Sequence, residues 1–204
     1  MQIITPLLVG FLVSAFGFLA PSMLSMTAVR TTIEKGKKAG IQFSAGAASV
    51  IFIQGFIAVF FAKHLLENPD IISNFKKAAI FVLLALAVFF FIEARKEFTA
   101  KGKNKAGNNY FIGFGMSALN QIAIPFYLAM ATLAESKGWI ALTNFQPLFY
   151  VLGAVIGAFA LFSIYVYFAE LIAKKSQFIA KNINYILSSF FVVISAITTI
   201  QIFA

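Results

Sequence analysis

The sequence predicts an all-α membrane protein, with six transmembrane helices arranged as two inverted three-helix halves. Three observations lead there. Of 204 residues, 61% are hydrophobic and only 11% charged, more apolar surface than a soluble domain of this length can hide. The uncharged residues gather into six long stretches. The cations between those stretches alternate in density, as loops on two sides of a bilayer do.

The charge-free stretches are Ile3–Val29, Ile41–Ala62, Ala78–Ile92, Ala106–Ala134, Gly138–Ala169 and Asn182–Ala204. All but the third reach the roughly 20 apolar residues of a spanning helix. The third has 15 residues, which rise about 22 Å against a hydrocarbon core of about 30 Å. It spans if Lys76 and Lys77 snorkel at one end and Glu93 and Arg95 at the other. The first stretch lacks a basic n-region and is longer than a signal-peptide core, so it reads as a retained span. The chain has no cysteine, which excludes disulfides and thiolate chemistry.

Twelve of the sixteen Lys and Arg residues lie in the first, third and fifth connections. The first carries Arg30, Lys35, Lys37 and Lys38 in a loop. The positive-inside rule puts these connections in the cytoplasm and both termini outside. The net charge of +9 therefore reflects topology, and nucleic acid is not an expected partner. Trp139, in the outer fourth connection, suits an interfacial anchor. His64, at the outer end of the second span, reads as a solvated end residue.

The chain reads as one polytopic domain, 1–204. Its longest polar connection begins at Lys101, and the connector 101–106 separates half-repeats 1–100 and 107–204. Three spans per half give the halves opposite orientations, as in inverted-repeat transporters. Phe16-Gly17 and Phe114-Gly115 fall at similar places in the first and fourth spans. Small residues crowd the second span (Ser44 to Ser49) and the fifth (Gly153 to Ala158, a G-x-x-x-G). Such faces serve close packing within the chain, or a homodimer.

No charge lies deep in any span. Glu93 and Glu170 sit at inner ends, where they pair with Lys96 and Lys174 or, for Glu93, handle protons. The interior polar groups are neutral. The first span holds Ser14, Pro21, Ser22, Ser25 and Thr27; the second holds Gln54; the fourth holds Ser117, Asn120, Gln121, Pro125 and Tyr127. A proline within a helix frees backbone carbonyls, and in lipid those must find side chains, neighbouring helices or water. One such break reads as a kink satisfied locally. Two, in the first helix of each half, point to a midplane binding site. The residues expected to line it are Pro21, Ser22, Met23, Ser25, Gln54, Ser117, Asn120, Gln121 and Pro125.

At these residues the chain resembles the LysE/RhtB-type amino acid exporters. Pro21-Ser22-Met23 stands where that family carries Pro-Gly-Pro, and Glu34 to Gly40 stands at its basic, Gly-containing cytoplasmic loop. Gly113-Phe114-Gly115-Met116-Ser117-Ala118-Leu119-Asn120-Gln121 matches its Gly-rich helix leading to Asn-Pro, with Gln121 in place of the proline. The resemblance implies a bacterial inner-membrane transporter that exports amino acids or related metabolites in exchange for protons. It implicates Pro21 and Asn120 as paired break positions flanking a central cavity. With no buried acid to neutralise a cationic side chain, the expected substrate is neutral or zwitterionic. No cofactor is expected. The spans hold no metal cluster, acid pair or activated nucleophile, so enzymatic activity is not expected. The competing reading is a non-transporting assembly subunit that binds a partner through its small-residue faces.

Overall fold

The computed structural model describes residues 3–66, 108–120 and 122–174, and scattered helical residues between 81 and 95 and between 182 and 199. Among the described residues every regular element is a helix. In chain order they are α1 (Ile4–Gly17), α2 (Met23–Lys35), α3 (Lys37–Leu66), α4 (Asn109–Ala118), α5 (Ala123–Ser136) and α6 (Gln146–Tyr167). Helices α3 and α6 are each long and apolar enough to cross a membrane, and the bent pair α4–α5 makes a third crossing if counted as one. The expected third and sixth spans, the connector 101–106, Glu93 and Gln121 lie largely or wholly outside the described residues.

The first expected span is two helices. After Gly17, the Phe18 and Leu19 amides fold back onto the Ser14 and Phe16 carbonyls and close α1. Pro21 has no N–H to continue the ladder and pushes Ala20 away from helical backbone. Ser22 then restarts it. Its amide donates to the Ser25 hydroxyl (2.7 Å), and its own hydroxyl accepts from the Ser25 amide (3.4 Å). This reciprocal cap satisfies amides that lipid could not. Further along α2, the hydroxyls of Thr27 and Thr32 donate to the Met23 and Ala28 carbonyls.

The basic stretch after Val29 is not a loop. Helix α2 runs on to Lys35, with Arg30 and Glu34 one turn apart in an ion pair of 2.6 Å. The whole connection to α3 is Gly36, at φ 86°, ψ 165°, a backbone region open essentially to glycine alone.

Packing between helices rests on glycines. A Cβ on Gly10 of α1 would overlap the Tyr150 carbonyl and press on the Ala154 amide of α6. A Cβ on Gly153 would overlap the Leu7 carbonyl, and one on Gly157 that of Phe11. The register advances in the same sense on both helices, so α1 and α6 run parallel. Helices α3 and α4 meet in the same way: Gly46 against the Tyr110 carbonyl and Phe114 amide, and Gly113 against the Phe43 carbonyl and Ala47 amide. Gln54 reaches Ser117 further along, so this pair is parallel too. Between α3 and α6, Gly40 meets Val166 while Gly55 meets Val151. Those two helices are antiparallel. Close backbone approach compensates for the missing hydrophobic drive between helices in lipid.

Gly10 and Gly113 thus take the same packing role on α1 and α4. Gly10-Phe11-x-x-Ser14-Ala15 corresponds to Gly113-Phe114-x-x-Ser117-Ala118. This correspondence differs by five residues from the one that pairs Phe16-Gly17 with Phe114-Gly115. The glycine faces of α3 and α6 are filled by α4 and α1 of the same chain. In the remaining part, the Ser188 hydroxyl donates to the Ala87 carbonyl (2.9 Å) and the Tyr185 ring meets Phe91 edge-on, again in antiparallel register.

Candidate functional site

The second helix break lies between α4 and α5, whose axes diverge by 68°. Helix α4 closes when the Leu119 and Asn120 amides turn back to the Gly115 and Ser117 carbonyls. Pro125 is not the cause of the break. It sits in the first turn of α5, where an amide has no intrahelical acceptor and a missing N–H costs nothing. It is half-buried there.

Two carbonyls at this break take a further donor from α3. The Gln54 side-chain amide donates to the Ser117 carbonyl (3.2 Å) and to the Asn120 carbonyl (3.3 Å). Gln54 is 5% exposed, so these bonds form out of water. At the first break the donor comes from α6: the Tyr165 hydroxyl donates to the Leu19 carbonyl at 2.7 Å, and Ser25 lies beside the same hydroxyl. Each break is thus closed by a helix from the other half of the chain. A third bond crosses the halves between the hydroxyls of Ser14 and Tyr127, 2.5 Å apart and both buried.

The structure brings Gln54, Ser117 and Asn120 together at one break and Pro21, Ser22 and Ser25 at the other. Pro21 is buried, Ser22 and Asn120 are half-buried, and Ser25 and Ser117 are buried. Met23 is 65% exposed and points away from the break packing. Glu170 is exposed.

Tyr150 and Tyr165 were not legible as site residues. The available signal was a tyrosine within an uncharged stretch, where the hydroxyl needs a polar neighbour. Tyr150 is fully buried, and its hydroxyl has no hydrogen-bond partner among the described residues. The Gln54 side-chain oxygen is likewise buried and unpartnered, as is the Ser163 hydroxyl. Buried polar atoms left open are costly, and they are where water or a ligand gains most. Chemically, this interior offers neutral donors and acceptors at two interrupted helices.

No protein-family model, curated protein or solved structure matches the chain.

Proposed function

We propose that the chain is a bacterial inner-membrane transporter of the LysE/RhtB type, exporting amino acids or related small neutral or zwitterionic metabolites. Transport proceeds by alternating access, coupled to protons, with both termini outside. One observation carries the reading: two helix breaks at corresponding places, each held by a buried side chain from the opposite half. Interrupted helices at matching positions are the feature that transporters place around a midplane site.

Helix direction supports six alternating spans. In such a chain the first and fifth spans run parallel, as do the second and fourth, while the second and fifth oppose each other. The glycine contacts of α1 with α6, α3 with α4, and α3 with α6 have these senses. The small-residue faces that an assembly subunit would offer a partner are occupied by helices of the same chain, which favours transport.

In operation, break-point backbone groups and the neighbouring hydroxyls and amides hold the substrate's carboxylate and ammonium. Metabolite profiling of medium from cells with and without the chain tests the function. Compounds enriched only in its presence are the expected result. Asn120→Leu should abolish that enrichment while the protein still inserts; normal export by this variant would remove the second break from the site.

A further inference from the structure

Gln54 has one end committed and one end free. Two backbone carbonyls, those of Ser117 and Asn120, lie within hydrogen-bond distance of its terminal nitrogen. Only the amino end of an amide can donate to them, because the oxygen would meet two acceptors with a third. The orientation of the amide is therefore set by the α4 break itself. Its oxygen is left on the other side, buried and without a donor among the described residues. No described residue supplies its donor, and an N–H or O–H of a ligand can do so. Tyr150, on the facing helix α6, carries a second open group. Gly55 and Val151 touch, so Gln54 and Tyr150 each precede one member of that contact on the antiparallel α3–α6 seam. The Tyr150 hydroxyl has no partner among the described residues, and it can donate to a carboxylate.

We infer that Gln54 is the specificity-determining residue for the amino end of the substrate: its side-chain oxygen accepts from the ligand ammonium while its nitrogen holds the α4 break. This rests on the transport reading and adds a direction to it. The ammonium lies toward α3 and α4, and the carboxylate toward Tyr150. Ligand binding and break geometry share one amide, because a donor on the oxygen polarises the group and strengthens its N–H bonds to Ser117 and Asn120. A ligand with a hydroxyl in place of the ammonium offers a weaker, uncharged donor.

The test uses the full chain purified and reconstituted in liposomes. These are loaded with L-alanine, L-serine or their hydroxy-acid counterparts L-lactate and L-glycerate, and release is measured against protein-free liposomes. Three proteins are compared: wild type, Gln54→Leu and Gln54→Glu. A protonated glutamic acid keeps one donor for the break and one acceptor for the ligand. The expected result is preference for the amine-bearing member in wild type, loss of that preference by about tenfold or more in Gln54→Leu, and its retention in Gln54→Glu. A role confined to supporting the break slows both members of a pair equally in Gln54→Leu, and that outcome overturns the inference. So does an unchanged preference. If the wild type releases none of the four while medium profiling shows export of compounds lacking an N–H donor, the inference falls and the transport reading stands. If profiling shows no exported compound, both fall.

Discussion

Gly10 and Gly113 hold equivalent places in opposite halves of the protein. Each lets its helix backbone lie against one carbonyl–amide rung of a parallel partner, Tyr150–Ala154 for the first and Phe43–Ala47 for the second. Side chains at either position would force the helices apart, and the side-chain bonds that close the two breaks lie further along the same helix pairs.

Substitution at these glycines should therefore act alike. Gly10→Val and Gly113→Val are each expected to destabilise the protein by about 1–3 kcal/mol through overpacking. Thermal unfolding in detergent measures this. Gly115 has open space where a Cβ would stand, so Gly115→Ala should be neutral or stabilising by up to about 1 kcal/mol. Equal losses at all three positions would contradict the reciprocal packing.

The Tyr165 hydroxyl is the donor for the Leu19 carbonyl. Tyr165→Phe removes it with almost no change in shape. The expected cost is about 0.6–2 kcal/mol, with export reduced because the first break loses its brace. Paired measurements of unfolding temperature and export rate check both effects. Full stability in the variant would mean that the carbonyl has another donor.

Gly36 alone joins α2 to α3, in a backbone conformation that side chains do not tolerate. Gly36→Ala should cost about 1–3 kcal/mol even though no atom lies within 4 Å of the added methyl. Gly40→Ala acts by a different cause, a collision with the Thr32 hydroxyl. A compensating Thr32→Ala should rescue Gly40→Ala and not Gly36→Ala, as read by thermal unfolding of the double variants.

The absence of native cysteine makes orientation simple to measure. Ser136→Cys and Lys37→Cys each introduce one thiol at an exposed helix end. A membrane-impermeant maleimide added to intact cells should label the first and spare the second until the membrane is permeabilised. The reverse pattern would turn the protein over and move its termini to the cytoplasm.

Much of the architecture was legible because its causes act over a few residues. Hydrocarbon obliges the backbone to bond to itself, so uncharged stretches had to be helices. Pro21, unable to donate, had to interrupt the first of them, and Ser22 and Ser25 were well placed to restart it. The same local reasoning misjudged Pro125, because a proline that breaks a helix and one that begins a helix differ only in where the preceding helix has already stopped. It also took the residues after Val29 for a loop, although a single glycine suffices to turn the chain there.

The sequence by itself determined which segments are apolar, where the first of them is interrupted, and how unevenly the cations are shared between connections. These are properties of neighbouring residues and of the solvent they can tolerate. Only the tertiary structure decided that α1 lies along α6 and α3 along α4, that Gly10 and Gly113 take the same packing role, and that Tyr165 and Gln54 close breaks on distant helices. Such pairings depend on where one backbone can come close enough to another for a carbonyl to meet a donor. That closeness is set jointly by residues far apart in the chain.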